Sequence, residues 1–216
     1  MVAETKEMCL NRLYFKFTAD KRHFRLLCVP AFCGRMEFAM EMGLVHIYTG
    51  DGKGKTTAAI GQGIRAAGRG LKVYMVQFLK GSFSGELETL KRLEPDFRVF
   101  RFEKERTCFV WNMTQEQKLE LKAEVSGGFE KVKAFLANKE CDLLILDEIF
   151  GVLSNKFIEV EELSEFLESR PEGIEIVLTG RNAPERIREL ADYVSEIHSI
   201  KHPFENGIAA REGIEY

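Results

Sequence analysis

Long apolar runs are missing from this sequence, which has no uninterrupted stretch near the ~18 residues that a helix needs to cross a membrane. Tryptophan occurs once, histidine four times, and the five cysteines form no Cys-x-x-Cys pair. No group of these residues therefore has the spacing of a zinc site. The odd number of cysteines and the lack of a secretory leader pattern predict a reducing, cytoplasmic location without a membrane partner.

Neither sign of charge prevails, since 31 basic residues stand against 34 acidic ones and the net charge is -3. A strongly basic nucleic-acid-binding protein is therefore not indicated, and we expect no nucleic-acid partner. What is present is an ordinary globular composition, with 45% of the 216 residues apolar and 30% charged. A chain of this length can bury a full core without disulfide or metal cross-links.

Residues 1–42 differ from the remainder of the chain, because they hold three of the five cysteines and their apolar residues follow no regular period. Acidic side chains in this segment argue against a transit peptide. An accessory hairpin or helix and a segment that is not normally translated remain as alternatives. Met36, Met40 and Met42 stand just before the first clear strand and favour the last one. We therefore divide the chain into an atypical N-terminal extension, 1–42, and one domain, 43–216.

From Gly43 onward, apolar strand patterns alternate with helical ones, which predicts an α/β fold with a mainly parallel sheet and right-handed crossovers. The predicted strands are 44–49, 72–78, 97–102, 142–147, 174–179 and 193–200, and the predicted helices are 55–69, 86–93, 114–138, 160–169 and 184–191. Thr114 and Gln117 have the spacing of a capping box at the start of the long helix.

The strongest motif runs from Thr49 to Thr56, TGDGKGKT, between a strand and a helix. Glycines let successive backbone N–H groups converge on phosphate oxygens, and the helix N-terminus adds positive potential. Lys55 would pair with phosphate oxygens and the Thr56 hydroxyl would ligate Mg²⁺. The strict phosphate-loop pattern is not met, because its first glycine would fall at Thr49. The alternative is a glycine-rich turn that happens to precede a helix.

A second motif ends the apolar strand Asp142–Asp147, where Asp147 and Glu148 form a pair of carboxylates. In phosphate-loop nucleotidases such a strand lies beside the loop, and its acidic end orients Mg²⁺. A buried strand with a polar end would look the same, but the two motifs in this order favour a site for a magnesium–nucleoside triphosphate. The residues alone do not select a reaction, and a phosphate-loop kinase or ATPase remains an alternative.

Two further stretches are difficult to explain as core. Cys108–Met113 falls in a connection and carries Phe109 and Trp111. This aromatic pair could cover a flat ligand or simply pack the loop onto the sheet. Cys108 has no neighbouring base and is interpreted as a packing residue. The C-terminal residues from Lys201 onward, rich in glycine and charge, predict a lid or an interface, with a frayed terminus as the alternative.

Between Gly43 and Tyr216 the chain resembles the ATP:corrinoid adenosyltransferases of the CobO/BtuR class. The resemblance rests on TGDGKGKTTAA (49–59), VQFLKG (76–81), GE (85–86), FVW (109–111), LDE (146–148), RP (170–171), LTGR (178–181), LADYVSEI (190–197), KHPF (201–204) and the closing GIEY. The strict pattern would place a glycine at Thr49, and this chain has it one residue later, at Gly50. The family's own loop has the same pattern. The implied fold is a phosphate-loop nucleotidase of the RecA-like kind, with helices flanking the mainly parallel sheet.

The resemblance implies that Co(I) of a reduced corrinoid attacks the ribose 5′ carbon of ATP and that triphosphate leaves intact. Mg²⁺ or Mn²⁺ is the implied metal, with Thr56 and Glu148 as its positions. The implied nucleotide-binding residues are Gly50, Asp51, Gly52, Lys53, Gly54, Lys55, Thr56 and Thr57. Lys55, Phe109 and Trp111 are the implied catalytic residues, the two aromatic ones displacing the lower axial ligand of cobalt.

The resemblance also implies a homodimer and a reduced flavoprotein as electron donor. It leaves open whether the acceptor is a finished cobalamin or an a,c-diamide precursor. Longer family members carry a basic N-terminal helix that helps to cover the corrinoid, and residues 1–42 do not resemble that helix. The chain is thus either a short-form enzyme that begins near Met42 or one whose cap is built differently.

Overall fold

The computed structural model describes residues 7–10, 13–16, 42–81, 83–106, 108 and 110–215. Two compact units are present, Met1–Met36 and Glu37–Tyr216. In the first, strand β1 (Glu7–Leu10) pairs antiparallel with strand β2 (Leu13–Lys16). Most of the proposed extension 1–42 lies outside the described residues, so its division from the domain stays a prediction.

The second unit contains one parallel sheet of six strands: β3 (Val45–Thr49), β4 (Val73–Gln77), β5 (Phe97–Phe100), β6 (Leu143–Asp147), β7 (Glu175–Thr179) and β8 (Tyr193–Glu196). Their order across the sheet is β5-β4-β6-β7-β3-β8, and every neighbouring pair is parallel. The predicted α/β class is confirmed, and the arrangement is that of a RecA-like phosphate-loop fold.

The helices of this unit are α1 (Lys55–Ala67), α2 (Glu86–Lys91), α3 (Gln115–Ala137), α4 (Ile149–Ser154), α5 (Val160–Glu168) and α6 (Glu185–Glu189), with 3-10 turns at Val110–Asn112 and Pro203–Asn206. The capping box of Thr114 and Gln117 is confirmed at the start of α3. Helix α4 was not predicted. No helix among the described residues has the length and apolar character needed to cross a membrane.

Apolar side chains cover both faces of the sheet, which is why its central strands read as continuous apolar runs. Alternate residues of β6 point to opposite faces. Leu144 and Leu146 join a cluster with α3, α4 and α5, whereas Leu143 and Ile145 join a second cluster on the α1 side. All five residues of β4 and of β6 are buried.

The strand order decides which side chains meet at the carboxyl edge of the sheet. Strand β7 lies between β3, which leads into the glycine-rich loop, and β6, which ends in Asp147. Strand β6 is therefore not the direct neighbour of β3. A strand lying beside the loop would have suggested that it was. Because all the strands run in one direction, the ends of β3, β4, β6 and β7 still form one shared edge.

Candidate active site

The glycine-rich loop turns sharply between β3 and α1. Gly50 has φ of 102°, and a Cβ there would lie 2.3 Å from the Ile197 carbonyl oxygen. The amide of Gly52 donates to that same oxygen at 2.8 Å. Gly54 has φ of 121° and no atom within 4 Å of its ideal Cβ position. The loop backbone therefore needs glycine for its conformation, and at Gly54 it leaves open space.

Helix α1 begins directly after this loop with its N-terminus uncapped. Gly54 makes no capping hydrogen bond through a side chain, and the first turn contains no acidic residue. The first N–H groups of an α-helix have no partner within the helix, and they form the positive end of its dipole. This end of α1 can therefore accept an anionic group such as a phosphate.

Lys55, the first residue of α1, is folded back over the loop. Its Nζ donates to the Gly52 carbonyl oxygen at 2.8 Å. Partial burial lowers the pKa of Lys55, and the nearby Arg181 guanidinium acts in the same direction. Both effects disfavour the charged ammonium. An anion bound nearby would favour the charged form of Lys55 and so offset both effects.

Asp147, at the end of β6, is the centre of a buried hydrogen-bond network. Its Oδ1 accepts from the Thr56 hydroxyl at 2.8 Å and from the Thr179 hydroxyl at 2.7 Å. Its Oδ2 accepts from Gln77 Nε2 at 3.3 Å and lies 3.8 Å from Lys80 Nζ. The side chain is fully buried, and these donors offset the cost of removing its charge from water.

Glu148 follows in a left-handed backbone conformation with φ of 62°, which is unfavourable for a residue with a side chain. Its N–H donates to the Thr179 hydroxyl at 2.9 Å, and α4 begins at the next residue. Burial raises the pKa of Glu148, and the Asp147 carboxylate raises it further, against the opposing charges of Lys80, Lys55 and Arg181. A half-buried acid in an unfavourable backbone conformation at a strand end is typical of a functional site.

These elements enclose a cavity of about 650 Å³. Asp51, Gly52, Lys53, Gly54, Lys55, Thr56 and Thr57, which the resemblance implies as nucleotide-binding residues, line it, and Gly50 shapes the turn behind them. The remaining lining comes from other strand ends and from the C-terminal segment: Ile60, Lys80, Ser84, Gly85, Glu86, Glu148, Arg181, His202 and residues 213–215. Glu148 was the only predicted site residue among this second set.

Lys80 and Arg181 are the main site residues that sequence reasoning did not select. Lys80 follows β4 and Arg181 follows β7, so each stands just past a strand end at the edge that carries the loop. The available signal was their place in the motifs VQFLKG (76–81) and LTGR (178–181), each of which continues past a strand end. Together with Lys55 they place three cationic side chains around one cavity, an arrangement suited to a polyphosphate.

The oxygen atoms of Thr56, Asp147 and Glu148 are the groups that could hold a magnesium ion. Thr56 donates to Asp147 directly, and the resemblance implies Thr56 and Glu148 as the metal positions with Asp147 as their neighbour. No cluster of three or more histidine, cysteine, aspartate or glutamate side chains with metal-binding geometry occurs within the described ranges. Mg²⁺ keeps several waters and commonly uses one or two carboxylates together with substrate phosphates, so these residues fit it.

The C-terminal segment reaches the same cavity. Gly213, Ile214 and Glu215 line it, and a Glu215 carboxylate oxygen lies 3.8 Å from Lys53 Nζ. Hydrogen bonds from the side chain and backbone N–H of Arg211 lower the pKa of Glu215 to about 2. The segment thus brings a negative charge to the mouth of the loop.

The aromatic pair predicted as catalytic is only partly described. Trp111 lies in the 3-10 turn Val110–Asn112 with 74% of its surface exposed, and it is not part of the cavity lining. Phe109 lies outside the described residues. Val110 and Met113 pack against the core and anchor the turn. The loop is therefore attached by its apolar residues while the indole ring is displayed to solvent.

Comparison with known proteins agrees with these observations. The family model described as "ATP:corrinoid adenosyltransferase BtuR/CobO/CobP" matches residues 41–216. A corrinoid adenosyltransferase of Escherichia coli K12 is 38% identical over 82% of this chain and 87% of its own length. The corrinoid adenosyltransferase CobA of Salmonella typhimurium is 36% identical, with the same coverage of both chains. Among solved structures, the flagellar accessory protein FlaH of Methanocaldococcus jannaschii matches with TM-score 0.44 and 19% identity, over 75% of this chain and 74% of FlaH.

Proposed function

Because the chain belongs to the ATP:corrinoid adenosyltransferase family, we propose that the cavity at the carboxyl edge of its sheet is where ATP is held for transfer of the 5′-deoxyadenosyl group to a reduced corrinoid. Co(I) of the corrinoid supplies the electron pair for the new cobalt–carbon bond. The bond between C5′ and its oxygen breaks, and its electrons leave with triphosphate. The enzyme therefore has to position ATP and stabilise a highly charged leaving group.

The observation that carries this proposal is that three cationic side chains lie close to one another at the loop end of the cavity. Lys55, Lys80 and Arg181 line it together with the uncapped N-terminus of α1. Negative charge grows on the bridging oxygen as C5′ departs, so fixed cations nearby stabilise the transition state more than the ground state. Since the nucleophile is cobalt in the substrate, the protein needs no nucleophile of its own.

We infer that Mg²⁺ or Mn²⁺ accompanies the triphosphate and that Thr56, Asp147 and Glu148 hold it. When bound, such an ion neutralises phosphate charge and orients the chain of phosphates. The raised pKa of Glu148 supports this inference, because a nearby cation would favour its ionised form. Thr56 can serve both the metal and Asp147, since a hydroxyl donates one hydrogen bond and accepts others.

For the corrinoid side we propose that Trp111, with Phe109, displaces the lower axial ligand of cobalt and so makes Co(II) easier to reduce. The support is the placement of Trp111, whose large apolar ring is 74% exposed on a turn that the core anchors. An indole ring exposed to this extent presents an apolar face that can contact a flat ligand. We further propose a homodimer in the cytoplasm with a reduced flavoprotein as electron donor, on the strength of the family relationship.

The direct experiment supplies ATP, Mg²⁺ and chemically reduced cobalamin and follows the corrinoid spectrum and the phosphate product. Formation of a cobalt–carbon bond with release of triphosphate is the expected result. The variant Lys55→Ala should lose about 2–4 kcal/mol of transition-state stabilisation, in line with the loss of one preorganised donor. Lys91→Ala, which removes an exposed lysine from α2, is the matched control. Release of ADP without alkylation would instead identify a phosphate-loop kinase or ATPase.

A further inference from the structure

Three hydrogen-bonded side chains, Arg101, Gln77 and Asp147, connect the ends of β5, β4 and β6. Asp147 is one of the proposed metal ligands. Arg101 stands just past the end of β5, and Gln77 is the last residue of β4. Arg101 donates to Gln77 Oε1 through Nε at 2.9 Å and through Nη2 at 2.7 Å. Gln77 Nε2 in turn donates to Asp147 Oδ2 at 3.3 Å. These bonds connect Arg101 to Asp147 through the amide group of Gln77.

The orientation of the Gln77 amide is set from both ends, by Arg101 and by Asp147. A guanidinium group has donors only, so the atom that faces it must be the amide oxygen. The NH₂ group is then left facing the Asp147 carboxylate. Gln77 is 1% exposed, so bulk water cannot satisfy a wrongly turned amide. With the amide reversed, a carbonyl oxygen would face Asp147 Oδ2, and both groups would lose their partners.

The orientation of this amide matters because Asp147 is held from both sides. Its Oδ1 takes the hydroxyl groups of Thr56 and Thr179, and its Oδ2 takes the amide of Gln77. Fixing Oδ2 therefore fixes the plane of the carboxylate. The same carboxylate then fixes the Thr56 hydroxyl in the first turn of α1, at the place where the triphosphate is held.

We propose that Arg101 is a positioning residue for the adenosyl transfer, acting through Gln77 to orient the Asp147 carboxylate, an inference that rests on the proposed function of the cavity. Arg101 does not line the cavity, and its two hydrogen bonds to Gln77 connect it to the Asp147 carboxylate. Partners in the second layer around a metal ligand typically change metal affinity or activity about 10- to 100-fold when they are removed. We expect Arg101→Met to fall in this range.

We call the hydrogen-bonded path from Arg101 through Gln77 to Asp147 the relay. Four proteins test it: the unmodified chain, Arg101→Met, Gln77→Leu and the double variant. In Arg101→Met, kcat/KM for ATP should fall about 10- to 100-fold, with KM for the corrinoid unchanged. In the Gln77→Leu background, adding Arg101→Met should bring no further loss, because the relay is already broken. Arg101→Lys, which keeps one donor for Gln77 Oε1, should recover part of the activity.

Nucleotide binding gives a second readout that a purely structural role would not move. The affinity for ATP, measured by calorimetry with EDTA and with Mg²⁺, should change little without the metal in Arg101→Met. The gain in affinity on adding Mg²⁺ should shrink. Arg98→Met is the matched control, because Arg98 lies on β5, three residues before Arg101, and its guanidinium instead donates to the Tyr74 hydroxyl at 3.4 Å. It should behave as the unmodified chain in both assays.

The relay is wrong if Arg101→Met matches the unmodified chain, or if its loss multiplies with that of Gln77→Leu, which would mean that Arg101 acts on ATP by another route. A loss that simply follows a lowered melting temperature would overturn it as well. Failure of the proposed function has a different signature, since the unmodified chain would then form no cobalt–carbon bond.

Discussion

At the scale of single residues, Glu103 carries a carboxylate in an unusual place. Both of its oxygens accept from the N–H of Leu79, at 3.1 and 3.0 Å, and Leu79 precedes Lys80 of the cavity. Burial raises the pKa of Glu103 to about 6 despite these bonds and the nearby Arg106. The ionised form is thus less favourable in the folded chain than in the unfolded one.

This shift predicts a pH-dependent stability. The folded chain holds the Glu103 proton at pH values where the unfolded chain has released it, so stability falls as pH rises from 4.5 toward 6. The loss amounts to about 1–2 kcal/mol, since one pKa unit corresponds to roughly 1.4 kcal/mol. Glu103→Gln should lack this loss. The unfolding free energy of the variant, measured in urea, should therefore increase relative to that of the unmodified chain as pH rises through this range.

The comparison of the two proteins is needed because other carboxylates act in the opposite sense. Glu124 and Glu215 have lowered pKa values through their hydrogen bonds to Arg106 and Arg211, and they favour the folded chain as pH rises. Glu105→Gln, which removes an exposed carboxylate nearby, is the control. A constant difference between Glu103→Gln and the unmodified chain across this range would contradict the prediction.

The aromatic pair gives a prediction that depends on the oxidation state of cobalt. With preformed Co(I), which lacks a tightly held axial ligand, the double variant Phe109→Ala/Trp111→Ala should keep much of its activity. With Co(II) and a mild reductant it should fail, because the five-coordinate ion stays difficult to reduce. The affinity for ATP should barely change, since Trp111 lies outside the nucleotide cavity. Spectroscopic rate measurements with each corrinoid provide the test.

A circular dichroism melt of this double variant has to accompany the assay. Substitution of Trp111 should cost little stability, because its side chain is 74% exposed. Equal losses of activity with Co(I) and Co(II), in protein shown to be folded, would reject ligand displacement and return the pair to simple packing.

At the scale of elements, two adjacent glycines in α3 should respond oppositely to the same change. A Cβ at Gly127 would meet no atom within 4 Å, whereas a Cβ at Gly128 would lie 2.8 Å from Phe102 Cδ2. Alanine in an exposed helix interior is favoured over glycine by about 0.5–1 kcal/mol. Gly127→Ala should therefore raise the urea midpoint, and Gly128→Ala should lower it, because Phe102 must shift.

Each glycine variant is the control for the other, since both make the same change in the same helix. Helix α3 runs unbroken through both glycines, from Gln115 to Ala137. Gly128 permits close packing of Phe102 against the helix. If both variants were stabilised, the helix and the strand end that carries Phe102 would have to be further apart than this packing allows.

At the scale of the whole molecule, the domain should fold without the N-terminal extension. All six strands of the parallel sheet and both apolar clusters lie between Val45 and Glu196. A variant that starts at Met42 should keep its melting temperature within a few degrees and should still bind ATP, as calorimetry and thermal melts can show. A large drop in melting temperature would mean that residues 1–41 belong to the core.

Local patterns in the sequence located the six strands of this domain, the phosphate loop and the acidic strand end, because each has a distinct period or motif. Helix α4 was missed, since Ile149–Ser154 is a short apolar run whose start at Glu148 shows no capping signal. The strand order was also beyond reach, because periodicity does not say which strands are neighbours. That order brings Lys80 and Arg181, which follow β4 and β7, to the edge of the sheet that carries the loop.

The relay from Arg101 to Asp147 shows the same dependence on tertiary structure. Gln77 is 24 residues from Arg101 and 70 from Asp147, so sequence spacing gives no hint that the three side chains meet. Parallel pairing of β4 with both β5 and β6 brings their ends together. Contacts of this kind follow from register across the sheet, which sequence reasoning on single elements does not supply.

The backbone of Glu148 has a consequence for anyone who would improve this protein by selection. Its φ is 62°, a conformation that costs a residue with a side chain about 1–2 kcal/mol and costs glycine almost nothing. A library screened for heat resistance alone should therefore enrich the substitution Glu148→Gly, which removes a carboxylate from the cavity. Screening for product should instead retain the glutamate. At position 148, selection for stability and selection for activity therefore favour different residues.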